Sequence, residues 1–347
     1  AQAQWHWGQP VLAVDAGAGG GTLRLADGRV LAFDAVDRTL TVQAGIALQT
    51  AQDAARDHGL QYPVDFASRG SCSIGGTIAT NAGGIRVVRY GNTREWVAGL
   101  KVVTGSGELV TASREQHADL FRAFPNSYGT LGYSVRLRIE LESVKPFVAL
   151  KHIRFHNLAD LIAEMDRIID TGGYDGQRVD YLDGVVFSAG ESYLCLGMQT
   201  ANPGPVSDYT GQDIYYRSIQ HADGVKDDRL TIHDYLWRWD TDWFWCSRAF
   251  GAQNPRLRRL WPRRYRRSSF YWKLIAYDRR FGIADRIEAR HGRPPLERVV
   301  QDVEVPIERT EEFVSWFLDN VPIEPIWLCP LRLRDDGGWP LYPLRAG

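Results

Sequence analysis

Apolar and polar positions change period several times along the first 145 residues. Arg38-Thr39-Leu40-Thr41-Val42-Gln43-Ala44-Gly45 alternates as a half-buried strand does, whereas Leu48 to His58 sets Ala51, Ala54 and Ala55 on one face of a predicted helix stopped by Gly59. Trp96 to Val103 predicts a strand, and Gly105-Ser106-Gly107 turns it into a second arm that starts at Glu108-Leu109-Val110. A short helix is expected over Ala118–Phe124. The alternation from Tyr133 to Leu141 then predicts a strand that closes a first domain.

Lys145-Pro146 marks a boundary, so the expected domains are 1–144 and 145–347. Beyond it, Ala149–Phe155 predicts a strand, and Asn157 caps a helix from Leu158 to Asp170 that Gly172-Gly173 ends. Two strands follow, Arg178–Ser188 and Glu191–Gln199. After an excursion over about 201–297, Val299–Pro306, Thr310–Asn320 and Pro325–Leu333 read as strand, helix and strand. This β-α-β-β, insertion, β-α-β order resembles a ferredoxin-like α+β layer carrying a long insertion.

Between the predicted elements of the first half lies Gly70-Ser71-Cys72-Ser73-Ile74-Gly75-Gly76-Thr77-Ile78-Ala79-Thr80-Asn81-Ala82-Gly83-Gly84, followed by Arg89-Tyr90-Gly91. The run is uncharged and nearly free of large side chains, so it offers bare backbone to a close neighbour. Converging N–H groups suit a pyrophosphate, and Thr80 and Asn81 add short polar side chains. A flexible loop is the plain alternative, but interleaved Ile74 and Ile78 argue for an embedded segment. The run resembles the FAD-binding domain of the p-cresol methylhydroxylase/vanillyl-alcohol oxidase flavoproteins. That resemblance implies a two-domain α+β flavoprotein with non-covalent FAD along residues 70–91, held by Ser71, Gly75, Gly76, Ile78, Thr80, Asn81, Gly83, Gly84, Tyr90 and Gly91. It adds Gly129, Thr130 and Gly132, because a Gly-Thr-Leu-Gly turn of this kind returns to the flavin in the family. The family's upstream Gly-rich pyrophosphate loop follows a fuller β-α-β lead-in than this chain has room for. Gly17-Ala18-Gly19-Gly20-Gly21-Thr22 could be that turn or a surface turn, and the chain is expected to begin inside the domain.

Composition narrows the classes. A chain of 347 residues has room for two cores, and a net charge of −1 argues against a surface built throughout for nucleic acid. Cys72, Cys195, Cys246 and Cys329 are widely spaced and show no CxxC, so neither a zinc site nor a disulfide framework is expected. They read as reduced thiols of an intracellular, cytoplasmic protein. No apolar run reaches the ~20 residues of a membrane-spanning helix, and the first residues lack the features of a signal peptide.

Many of the twelve tryptophans fall in the second half, with a concentration in Asp234-Tyr235-Leu236-Trp237-Arg238-Trp239-Asp240-Thr241-Asp242-Trp243-Phe244-Trp245-Cys246. Core packing or the walls of an apolar chamber would both use such residues. With Val300–Pro306 and Pro325–Pro330, the segment makes the chain from about 110 to the end resemble the Δ24-sterol reductases (the seladin/diminuto group). Residues 36–108 are closer to the D-lactate/2-hydroxyglutarate dehydrogenase branch. The chain also stops earlier than either branch does, at Pro343-Leu344-Arg345, so a distal contribution to the site is expected to be missing.

The leading expectation is an FAD-dependent reduction of a carbon–carbon double bond in a sterol-like or other long apolar substrate. NAD(P)H would visit transiently to reduce the flavin, and hydride would pass from flavin N5 to the alkene. Tyr181, His233 and Asp302 are candidate proton donors by residue type. Two alternatives stand beside it: an FAD-dependent 2-hydroxy-acid dehydrogenase, and a non-catalytic flavin- or lipid-binding protein. His221, His233 and His291 are isolated, which disfavours the histidine-rich metal site that the hydroxy-acid branch uses. Finally, the stretch 256–273 interleaves arginines with Trp261, Tyr265, Phe270, Tyr271 and Trp272. A solvated loop is the default reading. Peripheral contact with anionic lipid is the functional one, and nucleic-acid binding is the weakest.

Overall fold

The computed structural model describes residues 11–17, 20–25, 30–34, 36–56, 58–64, 70, 72–84, 90–209, 214–240, 254–292, 294, 303–321 and 323–332. The chain divides into two compact units. One comprises Ala1–Pro146, Asp180–Leu182 and Cys329–Gly347, and the other Phe147–Val179 and Asp183–Leu328. Among the described residues no helix is long and apolar enough to cross a membrane.

The first unit is built on a seven-stranded antiparallel sheet in the order β1-β2-β3-β4-β8-β6-β7. Its strands are β1 (Val11–Gly17), β2 (Gly20–Leu25), β3 (Val30–Asp34), β4 (Thr39–Gln43), β6 (Val97–Val103), β7 (Leu109–Ala112) and β8 (Tyr133–Glu140). A two-stranded ladder, β5 (Leu60–Gln61) with β9 (Glu142–Ser143), lies beside it. Alternation decides which face is covered. Leu40 and Val42 of β4, Leu100 and Val102 of β6, and Leu137 and Ile139 of β8 enter one core, joined by Leu48, Ala51 and Ala55 of the helix Leu48–Arg56. Burying each of these leucine, valine and isoleucine side chains contributes roughly 1.5–3 kcal/mol.

The Gly-rich run is not an open ribbon. Its centre forms the short helix Ile74–Ala79, with Ser73 as N-cap. Two glycines oppose a helix by propensity, but Ile74 and Ile78 are anchored in the core and Gly75 sits against Ala44, where an added Cβ would lie 2.7 Å from the Ala44 Cβ. Tertiary packing therefore outweighs propensity at this point.

The second unit carries a five-stranded sheet in the order β15-β10-β14-β13-β16. Here β10 is Phe147–Phe155, β13 Tyr181–Ser188, β14 Glu191–Thr200, β15 Val225–Thr231 and β16 Ile326–Leu328. A small hairpin, β11 (Gly173–Tyr174) with β12 (Gln177–Arg178), takes up Arg178, so the strand predicted over 178–188 begins at Tyr181. The helix Leu158–Thr171 follows its sequence signals: Asn157 Oδ1 accepts from the Asp160 N–H at 2.8 Å, Leu158, Leu161, Met165 and Ile168 are buried, and Gly172 ends it at φ +66°.

Three features differ from expectation. Val225–Thr231, inside the expected insertion, pairs antiparallel with β10 from Phe147↔Thr231 to Ile153↔Val225. The last strand, β16, instead joins β13 at the opposite edge of the sheet. Residues 303–306 form no strand and lead directly into the helix Ile307–Asn320, and the remainder of the strand expected at 299–306 lies outside the described residues.

Candidate functional site

The Gly-rich helix and the Gly129–Gly132 turn meet in the first unit. The Asn126 N–H donates to the Ile78 carbonyl at 3.3 Å, and the Tyr128 N–H donates to the Ala79 carbonyl at 3.0 Å. The two segments predicted to return to one ligand are thus joined by backbone hydrogen bonds. Their junction concentrates left-handed backbone: Asn81 at φ +46°, Asn126 at +74°, Tyr128 at +50°, Gly129 at +83° and Gly132 at +124°. Glycine is required at 132, because a Cβ there would stand 2.2 Å from the Val103 carbonyl oxygen. Tyr128 has no such freedom, and a bulky residue in this region is uncommon and stored mostly at functional sites.

The hydrogen bonds separate the spent N–H groups of the run from the open ones. Ile74, Gly75, Gly76 and Thr77 spend their N–H groups on the Ile46 carbonyl, the Ala44 carbonyl, Ser73 Oγ and the Ser73 carbonyl. Thr80 Oγ1 donates to the Gly76 carbonyl at 3.1 Å, and Asn81 Oδ1 accepts from the Arg94 N–H at 3.1 Å. The open donors lie further along. Among the described residues the N–H groups of Gly83, Gly84 and Gly129 and the Asn81 side-chain amide have no acceptor. The Gly84 carbonyl accepts from Cys329 Sγ at 3.8 Å.

An apolar surface stands next to these donors. Tyr128 is 70% exposed, Tyr133 74%, Val135 41% and Leu131 37%. The β6–β8 register shifts between Lys101↔Arg136 and Val102↔Ser134, so Val135 is an extra residue in β8, and its carbonyl accepts from the Ala44 N–H at 3.2 Å. Bulges of this kind re-aim side chains beside binding sites. Bare backbone, unspent N–H donors and uncovered rings fit a ligand with a flat ring system and an anionic tail, as FAD has.

The remaining predicted residues fall as follows. Gly76 and Thr80 are exposed, Ile78 is core, and Thr130 is exposed with Oγ1 donating to the Ser127 carbonyl at 2.7 Å. Tyr90 is buried, and its carbonyl accepts from Trp96 Nε1 at 2.8 Å. Gly91, at φ +73°, leaves no room for a Cβ against Glu95. Ser71, Arg89 and Asp302 lie outside the described residues, as do Ala18 and Gly19 of the earlier glycine turn. Of the candidate proton donors, Tyr181 is buried and His233 Nδ1 lies 3.3 Å from Asp234. His221 and His291 bond backbone carbonyls, and among the described residues no three His, Cys, Asp or Glu groups could hold a metal.

In its described part the aromatic segment of the second unit buries Tyr235, Arg238 and Trp239 and leaves Leu236 and Trp237 half-buried; residues 241–246 lie outside the described residues. Arg238 is fully buried, with its guanidinium carbon 3.7 Å from the Trp239 ring centroid, 3.8 Å from that of Tyr235 and 5.1 Å from that of Tyr215. Its Nη1 donates to the Tyr235 carbonyl at 2.6 Å. Nearby Asp183 accepts from Trp327 Nε1 at 3.1 Å, and burial raises its carboxyl above the usual range while Arg238 opposes that rise. His152 Nε2 lies 3.0 Å from the Tyr215 hydroxyl, and burial lowers its pKa to about 3. Asp183 and His152 did not stand out in the sequence, since each is isolated there, and Arg238 was visible only as part of the aromatic segment.

Comparison with known proteins bears on both units. Residues 11–113 match the family model of an FAD binding domain, which bears out the flavoprotein resemblance. A D-2-hydroxyglutarate dehydrogenase of Xanthomonas citri pv. viticola is 60% identical over 121 residues, 33% of this chain and 26% of the relative. One from Stutzerimonas stutzeri is 50% identical over 119 residues, again 33% and 26%. The mitochondrial D-2-hydroxyglutarate dehydrogenase of Arabidopsis thaliana is 35% identical over 235 residues, 60% of this chain and 42% of the relative. The chain thus spans about a quarter of the length of the two bacterial relatives. These relatives overturn the expected reduction of a sterol-like double bond. They carry the name of the hydroxy-acid branch, and the Arabidopsis match covers more of the chain than its first domain holds.

Proposed function

We propose that this chain contributes the flavin-binding part of an FAD-dependent oxidoreductase that oxidises a 2-hydroxy acid of the D-2-hydroxyglutarate type to the 2-oxo acid. The observation that carries the reading is the 60% identity over 121 residues to a protein of that name, beside the match of residues 11–113 to an FAD binding domain. In this reaction the substrate carbinol carbon gives up a hydride and its hydroxyl gives up a proton. FAD supplies the two-electron acceptor when bound. The chain's own part is to hold and orient: Gly83, Gly84, Gly129 and the Asn81 amide offer hydrogen bonds, and Tyr128, Leu131 and Tyr133 offer an apolar face from which water is excluded. NAD(P)H was needed only to drive alkene reduction, and the hydroxy-acid reading does not call on it.

Titration of the purified chain with FAD, followed by flavin fluorescence, tests the first half of the proposal. Saturable quenching is expected, and its absence overturns flavin binding. Anaerobic mixing of the loaded protein with D-2-hydroxyglutarate tests the second half. Bleaching of the flavin is expected, whereas a bound flavin that stays oxidised overturns the dehydrogenase reading and leaves a flavin-binding protein without turnover.

A further inference from the structure

Residues 254–292 hold eleven arginines and one lysine against two aspartates and one glutamate, in a chain whose net charge is −1. They form the helices Pro255–Leu260, Ser268–Phe281 and Ile283–Arg290 with a 3-10 turn at Arg263–Tyr265. Arg256, Arg259, Arg263, Arg264, Arg267 and Lys273 are exposed, and none of them makes an ion pair among the described residues. The three carboxylates of the segment are half-buried and are outnumbered four to one by its cations.

The same surface is unusually apolar. Leu260 is 80% exposed, Tyr277 58%, Trp272 51% and Ile287 46%. On the helix Ser268–Phe281 the exposed positions 272, 273, 276, 277, 279, 280 and 281 span one broad arc, in which Trp272, Tyr277 and Phe281 alternate with Lys273, Arg279 and Arg280. On the next helix Ile283 and Ile287 form an i, i+4 pair beside Arg286 and Arg290. A surface that only had to stay in water would not expose Leu, Ile and Trp among its cations. Phosphates on a nucleic acid would meet the charges but give the aliphatic groups no apolar partner. Anionic headgroups above acyl chains satisfy both at once: arginine binds phosphate, indole and phenol rings favour the interface, and leucine and isoleucine enter below it.

We propose that residues 255–290 form a peripheral docking surface for an anionic phospholipid bilayer. Charge complementarity selects the headgroup, and the uncovered apolar side chains select a bilayer over a soluble polyanion. Flotation of the full chain with vesicles of phosphatidylglycerol and phosphatidylcholine, beside vesicles of phosphatidylcholine alone, tests this. The chain is expected to float with the mixed vesicles at low ionic strength, to stay below the neutral ones and to be released by high salt. Exchanging Arg263 and Arg264 for Gln lowers partitioning about fivefold per residue. The double variant Leu260→Ser/Trp272→Ser, with circular dichroism unchanged, weakens binding at constant charge. The proposal is overturned if the chain stays soluble with mixed vesicles, if neutral vesicles bind it equally, or if sedimentation shows a dimer broken by Leu260→Ser/Trp272→Ser.

Discussion

The two units treat chemistry-bearing groups in opposite ways. In the second, Arg238, Asp183 and His152 carry ionisable side chains, yet all are closed off from solvent among tyrosines and tryptophans. In the first, the junction of the Ile74–Ala79 helix with the Gly129–Gly132 turn has almost no ionisable side chain. It exposes backbone donors, left-handed residues and bare rings. The contrast teaches that a buried charge is weak evidence for a site when its neighbours already enclose it, whereas uncovered backbone and stored strain are strong evidence. A cofactor that brings its own reactivity needs a shaped surface more than it needs acids and bases.

The largest expected effect breaks the second unit. Arg238→Ala removes the cation that opposes the buried Asp183 carboxylate and empties the space between Trp239 and Tyr235. Unfolding in urea should show a loss of about 3–5 kcal/mol, and adding Asp183→Asn should restore part of it. A loss below about 1 kcal/mol would mean that the cluster is not a structural core. Gly132→Ala should come next, costing at least about 2 kcal/mol, since it combines a φ of +124° with a Cβ directed at the Val103 carbonyl. Unlike Arg238→Ala, it should also lower FAD affinity in fluorescence titration. Equal affinity in the two variants would dissolve the distinction drawn between the regions.

Much of this architecture was legible because its signals are local. The helix Leu158–Thr171 announces its cap, its apolar stripe and its glycine stop within sixteen residues, and the second half of β8 alternates Arg136, Leu137, Arg138 and Ile139 in clear period two. The edge strand Val225–Thr231 was not legible. Val-Lys-Asp-Asp-Arg-Leu-Thr has a poor strand composition, and only its ladder with β10 makes it one; charges are tolerated there because it lies at an edge. The helix Ile74–Ala79 was hidden by its glycines, and the value of Gly75 is close approach to Ala44 rather than conformational freedom. At the site, the junction of the two glycine segments was readable from resemblance. The open donors were not, because which N–H groups remain unspent depends on every contact around them. Aromatic density decided nothing by itself: it suits core packing and a chamber wall alike, and in the described part it encloses the buried Arg238.

His152 sharpens the contrast through pH. Its folded pKa of about 3 lies below the ordinary value of 6.5, so the unfolded chain takes up a proton near pH 6.5 that the folded chain refuses. The folded state therefore loses stability as pH falls through that window, by about 1.4 kcal/mol per pH unit, and the loss levels off near the folded value. Asp183 works in the opposite sense, since its raised pKa lets the folded state hold a proton that the unfolded chain releases. The His152 contribution is accordingly read as a difference. His152→Asn should flatten the acid limb of the stability curve relative to the parent, and parallel curves would show that the imidazole takes up its proton as readily in the fold as in the unfolded chain.

Tyr128 makes the finest test, because strain and ligand contact can be separated there. At φ +50° and 70% exposed, its side chain contributes little to the core, and its conformation costs the fold about 1–2 kcal/mol. Asparagine adopts the left-handed region more readily, so Tyr128→Asn should leave the urea midpoint unchanged or slightly raised. If the ring forms part of the apolar face under the flavin, the same variant should bind FAD about tenfold more weakly, while Tyr128→Phe keeps the affinity. A stabilised Tyr128→Asn with undiminished affinity would place the flavin elsewhere and leave the strained turn without a ligand. A weakened one would show that the strain persists because a bound ring stabilises it.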